Sequence, residues 1–499
     1  MKDNALGVVR GVLLLAAGML VLSFALLAID VGRAGYDVAD LRTLSLAEAR
    51  HLTSVFSRAS NQLMAIVFTA IAIAVPLTAN MYSLKFLEFF LKDRVNAAVL
   101  IFVVFTSVNT TVLSYALKDR FVPSTAINLQ LDLMIVGGAL LFPYVYYVFR
   151  FLHPHTLLER LEREIGTHVQ AVGRTSAHAA QRRVPVGEGL EHIASIAIRS
   201  IDRLDRSTAI AAVLVMERVM RGYWREKDRL PAPWFLAENQ TFLSFSSAAL
   251  DDVRASRGWV EMKLFSQLRQ VMSGSIGRMH DVTSAGARAL RRLGLEETAR
   301  RDPWLRELVM EYFNTFIRAA LNARDVRSVF VVFDQYRTFA EALNADHPDQ
   351  VLEIAYYFEY YAQVAREMGI TFVVESIAHD LGALVQHAWT ARAGNREALL
   401  ERFLGYGAPG PPLVGVRKAQ ALLASYFLLG GQDEAAARVA RSFEGLDAAF
   451  VARLRTELLG VTREKYWEVN ERRLNMDYVP PPQRERLREF LEGVEARRG

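Results

Sequence analysis

Residues 97–117, AAVLIFVVFTSVNTTVLSYAL, decide the fold because they are uncharged throughout yet carry a row of hydroxyl groups. At 100° per residue five hydroxyl side chains fall within an arc of about 140°, with an asparagine about 60° outside it and aliphatic residues opposite. A helix with two such faces meets lipid on one side and protein or water on the other. The polar face either packs against neighbouring helices or lines a water-filled path, and both alternatives stay open. Its members are Thr106, Ser107, Asn109, Thr110, Thr111 and Ser114.

Three further stretches, residues 11–29, 62–82 and 133–149, are also free of charge over 17 to 21 residues. About 20 apolar residues in a helix cross a bilayer core of ~30 Å. The composition agrees with a membrane protein, because 52% of the 499 residues are hydrophobic and the mean hydropathy is +0.14. We therefore predict an all-α protein in which a four-helix transmembrane bundle, residues 1–152, precedes a large helical cytosolic domain.

Small residues in the second and fourth spans indicate where helix backbones approach each other. A spacing of four between small side chains permits close packing in lipid, although a chain rich in alanine produces the same spacing by composition alone. The helix-packing candidates are Ala65, Thr69, Ala70, Ala74, Gly137 and Gly138.

Charges beside the spans give an orientation. Eight Lys and Arg residues fall on the side of the N-terminus and six on the other side, which favours cytoplasmic placement of both termini. Among them Lys85, Lys92, Arg94 and Arg150 are candidates for contacts with lipid head groups. No predicted span has an ionisable residue in its middle, and this disfavours proton-coupled transporters and voltage sensors.

Two segments carry a family resemblance. The first is LEFFLKDRVNAAVL (residues 87–100) between apolar spans, followed by the tyrosine-rich span at 133–149. The second is GLEHIASIAIRSIDRLDRSTAIAA (residues 189–212). Together they resemble a bacterial family of predicted membrane proteins of unknown function, over roughly residues 49–280. The resemblance implies a multi-pass protein of the bacterial inner membrane, and it implies no catalytic residue.

The remaining chain reads as helices with an apolar period of 3.6. We expect a membrane-proximal helical domain over residues 153–280 and a C-terminal helical array over residues 281–499. Asp302 with Pro303 is a typical helix start, and Gly369 a typical helix end. These start and end signals predict antiparallel helices near 303–322, 325–345, 348–368 and 370–393. At 422–443 they are followed by a helical hairpin or a tetratricopeptide-like unit.

Several function classes lose support. The chain has no Cys, which excludes thiol catalysis, Cys-based zinc sites and iron–sulfur clusters, and it contains no phosphate-loop, metalloprotease or nucleophile-elbow motif. We expect no enzymatic activity, no cofactor and no metal. The net charge of +5 is spread along the chain, so nucleic acid is not an expected partner.

Two hypotheses remain for function, and the sequence favours the first. The first is a homo-oligomeric, channel-like conduit for ions or small solutes, in which the hydroxyl face of the third span meets its copies at a symmetry axis above a cytosolic vestibule. The second is a membrane-anchored scaffold whose helical domain docks a cytosolic protein partner. The expected partners are membrane lipids, further copies of the chain and that cytosolic protein.

Overall fold

The computed structural model describes residues 25, 28–29, 31–33, 43–82, 85–174, 179–236, 242, 245–406, 412–467, 472 and 474–496. Within these ranges the protein is helical and its only extended pairing is an isolated bridge between Lys118 and Phe121. The all-α prediction is confirmed. The chain divides into two compact units, residues 1–160 and 161–499.

The first unit contains α1 (Leu46–Met81), the short α2 (Lys85–Lys92), α3 (Arg94–Ala116) and α4 (Ser124–Phe151). Three of these, α1, α3 and α4, are long and apolar enough to cross a membrane. They contain most of the predicted spans 62–82, 97–117 and 133–149. The predicted span 11–29 lies outside the described residues except at positions 25, 28 and 29, so the described part of the chain has three candidate spans instead of four.

All three membrane-length helices begin earlier than the predicted spans, α1 and α4 by nine residues or more. Ser45 and Glu48 form a reciprocal capping box that starts α1 at Leu46, so α1 has 36 residues and a length of about 54 Å. Its early turns carry Arg58 on the exposed side, and α4 carries Asp132 in the same way, eight residues after it begins at Ser124. The prediction that no span has an ionisable residue in its middle therefore holds for the predicted apolar stretches but not for the longer helices that contain them.

Two apolar clusters hold α1, α3 and α4 together. One contains Ala49, Phe56, Leu113 and Ile127, and the other contains Val67, Val103, Tyr144 and Val148. Between them, buried polar side chains come from all three helices. These are Ser60, Thr106, Thr110 and Gln130, named here the polar layer.

Helix α5 (Pro154–Arg174) begins in the first unit and ends in the second. The helices that follow are α6 (Ala179–Asp202), α7 (Arg206–Lys227), α8 (Ser247–Ala255), α9 (Trp259–Ser275), α10 (His280–Gly294), α11 (Glu297–Arg301), α12 (Pro303–Asn322), α13 (Val326–Leu343), α14 (Pro348–Glu367), α15 (Thr371–Thr390), α16 (Arg396–Gly405), α17 (Val414–Leu429), α18 (Asp433–Arg441), α19 (Ala448–Gly460) and α20 (Pro481–Ala496), with a 3₁₀ turn at Ala232–Phe235.

The second unit is built in two layers of helices from α9 onward. Helices α10, α13, α15, α17 and α20 pack side by side in that order, and α9, α12, α14 and α16 form a second layer against them. The four predicted antiparallel helices agree with α12 to α15 to within three residues at every end. Asp302 accepts hydrogen bonds from the Trp304 and Leu305 amides at 3.0 and 3.3 Å, which explains the start of α12. The tetratricopeptide-like interpretation of residues 422–443 stays a prediction.

Adjacent glycines in α4 provide a test of the bundle. A Cβ atom at Gly137 would lie 3.3 Å from Cε1 of Phe102, whereas one at Gly138 would have no atom within 4 Å. Gly137→Leu should destabilise the bundle by about 1–3 kcal/mol through overpacking. Gly138→Leu is the matched control and should leave the unfolding midpoint in detergent unchanged. Equal effects of the two changes would contradict the packing described for α3 and α4.

Candidate functional site

The polar layer is a closed set of hydrogen bonds within one copy of the chain. Ser60 Oγ of α1 lies 3.2 Å from Thr110 Oγ1 of α3. Thr110 also donates to the carbonyl of Thr106 at 2.7 Å, and Gln130 Nε2 of α4 donates to the same carbonyl at 3.3 Å. Asn109 Nδ2 donates to Gln130 Oε1 at 2.7 Å. All three spans are therefore linked by polar contacts at one level.

The remaining members of the predicted hydroxyl face lie further out. Ser107 donates to Asn61 Oδ1 of α1 at 2.8 Å. Thr111 and Ser114 donate to their own helix, to the carbonyls of Ser107 and Thr110 at 3.2 and 2.9 Å, and both residues are exposed. The face is thus divided into members that bond or pack between helices, with Ser107 at their edge, and the exposed Thr111 and Ser114, which bond their own helix.

Gln130 is a polar residue that the sequence analysis missed. It lies three residues before the predicted span 133–149 and is completely buried. Its amide both donates and accepts within the layer, so one side chain satisfies Thr106 and Asn109. Extending the helical period of the span towards its N-terminus would have placed Gln130 on the buried face, because Ile127, one turn earlier, is also buried.

The small residues predicted for packing have different surroundings. Gly137 is buried against Phe102 and Leu63, whereas Gly138 is exposed. In α1, Ala70 and Ala74 are half-buried, and Ala65 and Thr69 are exposed. Within one copy, close packing therefore uses Gly137, and Ala65 and Thr69 lie on an exposed side of α1.

A second polar cluster lies where α2 and α4 end and α3 begins. Asp93 caps α3 by accepting from the Val95 and Asn96 amides at 3.0 and 3.2 Å. The same carboxylate oxygen accepts the Tyr147 hydroxyl at 2.8 Å. Arg160 lies 3.6 Å from the other oxygen, and its guanidinium lies 3.8 Å from the centre of the Phe151 ring. Asp93 thereby ties the start of one span to the end of another.

The predicted head-group contacts lie around this cluster. Lys85 and Lys92 both pair with Glu88 of α2, Lys85 at 2.8 Å. Arg94 and Arg150 are exposed at the start of α3 and near the end of α4. Their contacts with lipid stay a prediction.

The second unit contains a large polar cavity that the sequence analysis did not predict. Its volume is about 1000 Å³, and its walls come from α10, α13, α15 and α17 together with Arg472 and residues 474–483. On its floor Arg472 makes a two-pronged contact with the buried Asp380, at 2.6 and 2.8 Å. Arg337 lies 3.1 Å from the same carboxylate and 3.0 Å from Asp334.

Ionisation in the cavity floor follows from these contacts. Burial alone would lower the pKa of Arg337, but the carboxylates of Asp380, Glu341 and Asp334 outweigh it and raise that pKa. Burial also lowers the pKa of His379, against the opposing effect of Asp477 at 3.5 Å, so this imidazole is neutral near pH 7. The floor consists of charges that neutralise one another.

These features define an α-helical protein with a bundle of apolar, membrane-length helices and a larger helical unit. Residues 7–200 match the family described as predicted membrane protein (DUF2254), which confirms the resemblance inferred from residues 87–100 and 189–212. The match begins earlier than expected and ends at residue 200, before most of the second unit.

Comparison with curated proteins finds no match. Among solved structures, a circular tandem repeat protein with novel repeat topology and enhanced subunit contact surfaces has 15% sequence identity and covers 91% of this chain and 98% of its own. Its TM-score is 0.25, which is below the range of a shared fold.

The Asp93 cluster generates a stability prediction. Asp93→Ala removes the cap and the Tyr147 acceptor together, and we expect a loss of about 1–2 kcal/mol in the free energy of unfolding. Tyr147→Phe should cost about 1 kcal/mol, and the double variant should cost less than the sum because the two residues share one contact. Denaturant unfolding in detergent measures all three.

Tyr146→Phe is the matched control, since Tyr146 is adjacent and has no described hydrogen bond to lose. Its effect should be close to zero. Strict additivity of the Asp93 and Tyr147 variants would show that the hydrogen bond between them contributes nothing.

Proposed function

We propose that this protein is a membrane-anchored docking protein, in which the apolar helices hold the chain in the bacterial inner membrane and the helical array binds a protein partner in the cytosol. The family match and the three apolar helices support the membrane placement. The docking role is supported by the surface of the array and by the way the polar layer of the bundle is satisfied within one copy.

The bundle supports anchoring because the buried side chains of its polar layer find partners inside a single copy. In an apolar medium an unpaired amide or hydroxyl is costly, and hydrogen bonds between helices remove that cost. Thr106, Thr110 and Gln130 are each buried and each bonded. These groups need neither water nor a second copy.

The observation that carries the proposal is a row of tyrosines on α14. Tyr356 and Tyr360, one turn apart, are 50% and 43% exposed, and Tyr357 lies beside them half-buried. The guanidinium of Arg402 on α16 lies 5.8 Å from the centre of the Tyr356 ring and 2.9 Å from Glu359. Tyr and Arg are the residues that most often dominate binding energy in protein interfaces. A rigid helix therefore presents them as a ready contact surface.

The proposal predicts that this tyrosine row contacts the partner. A photo-crosslinking phenylalanine analogue at position 356 or 360 of the full chain should crosslink one cytosolic protein in cells. Tyr356→Ser with Tyr360→Ser should then weaken binding of that protein by a factor of at least about 30, since hot-spot aromatics contribute about 2 kcal/mol or more. Binding to the purified partner measures the affinity.

Leu429→Ser with Tyr466→Ser is the matched control, because these side chains are 49% and 38% exposed elsewhere in the second unit. It should leave the affinity unchanged. Crosslinks to nothing but another copy of the chain, or equal loss in both double variants, would contradict docking through the tyrosine row.

A homo-oligomeric conduit is the second candidate, and the exposed hydroxyls of Thr111 and Ser114 favour it. They lie on the same side of α3 as Ser107, which bonds the exposed Asn61 of α1. In a conduit these groups would face the axis between copies, whereas the buried polar layer would serve packing in either case.

The conduit is tested by flux through liposomes. Thr111→Val with Ser114→Ala should reduce flux of the permeant ion without changing assembly if the outer hydroxyls line a path. Phe105→Leu, on the opposite and 54% exposed side of α3, is the control. Equal flux in all three proteins would leave docking as the function that the bundle serves.

A further inference from the structure

One wall of the cavity in the second unit is the inward face of α10. Asp281, Ser284, Arg288 and Arg291 follow one another at intervals of three or four residues, so they lie along one side of the helix. α13 forms the neighbouring wall, and residues 474–483 complete the lining. The cavity of about 1000 Å³ is large enough for a molecule of nucleotide size.

The carboxylates of the cavity are already paired. Asp380 binds Arg337 and Arg472, and Asp334 binds Arg337 at 3.0 Å. Asp281 at the outer end pairs with Arg206 of α7 at 2.9 Å. No carboxylate of the lining is left to neutralise the arginines of α10.

Arg288 and Arg291 accordingly form no ion pair with any residue that the structure describes. They are three residues apart on one helix, so their like charges repel each other. The Nε atom of Arg291 is buried and has no hydrogen-bond partner within the described ranges. A buried donor without a partner costs free energy, and an anion in the cavity would remove both that cost and the repulsion.

Electrostatics supports the same conclusion. The pKa of Arg291 is lowered by burial and then by the neighbouring charges of Arg292 and Arg288, while Asp334 opposes this only in part. The guanidinium stays charged, because the pKa of arginine lies far above neutral pH. The wall therefore presents unneutralised positive charge to an open, polar cavity.

We propose that this cavity binds a small molecule that carries phosphate groups, held by the guanidinium groups of Arg288 and Arg291. Planar guanidinium forks match phosphate oxygens in pairs, and two of them one turn apart suit a group with several oxygens. Neutral donors and acceptors would contact the rest of the molecule. They are Gln335, Thr338, Gln386, Asn475 and Gln483.

The test uses the full chain in detergent and titrates inorganic pyrophosphate by calorimetry. Wild-type protein should bind it, more weakly as NaCl is raised, and Arg288→Gln with Arg291→Gln should raise the dissociation constant at least about tenfold. The unfolding midpoint of this double variant without pyrophosphate should be equal to or above that of the wild type, because a repulsion is removed. A lower affinity in a folded protein then reflects the site.

Arg301→Gln with Arg441→Gln is the matched control, since both residues are exposed and neither lines the cavity. It removes the same charge and should bind pyrophosphate as the wild type does. Titration of a short-chain phosphatidylglycerol compares a lipid head group with a free phosphate compound. The probe that binds the wild type more tightly identifies the class of ligand, and the α10 variant should bind that probe more weakly.

Three results would overturn the proposal. Absence of pyrophosphate and lipid binding to the wild type is the first. Equal affinity of the α10 variant and the control is the second. Binding of an acidic peptide such as decaglutamate in place of both phosphate probes is the third, and it would assign the arginines to a protein segment.

Discussion

The first unit depends on one constraint, which is that a polar atom inside an apolar bundle must find its partner among the helices. Ser60, Thr110 and Gln130 come from α1, α3 and α4, and they meet at one level between two apolar clusters. Sliding any helix by one residue would separate these partners. In lipid, helices associate through close packing and through hydrogen bonds between helices, so the polar layer and the packing of Gly137 against Phe102 set the register together.

The same constraint gives a physical meaning to the sequence LEFFLKDRVNAAVL, which led to the family resemblance. Its central Asp93 ends the α2 segment and caps α3, where two backbone amides would otherwise lack partners. Because the carboxylate also accepts the Tyr147 hydroxyl, the motif and the tyrosine-rich span are parts of one structural element. The first segment of the resemblance therefore consists of residues that close the bundle at one end, whereas the second segment, residues 189–212, lies in the second unit.

Local patterns predicted most of the helices. The unbroken apolar run at 97–117 identified α3, and the Asp302–Pro303 signal placed the start of α12 at the correct residue. The start of α1 was missed, because Arg50 and Arg58 interrupt the apolar run although they lie on an exposed side of the helix. The cavity could not be predicted. Asp380 and Arg472 are 92 residues apart in sequence, and no periodicity brings them together.

The array places its tyrosine row and its cavity on different helices that share one rigid core. Tyr336 of α13 stacks on Phe313 of α12 with ring centres 4.6 Å apart and meets Phe358 of α14 edge-on at 5.5 Å. All three rings are fully buried. A close-packed aromatic core has a single low-energy arrangement, whereas energetic coupling between two binding sites needs an element that can adopt two arrangements. An anion on the α10 wall and a partner on α14 would therefore bind independently, each adding its own stabilisation to the same folded state.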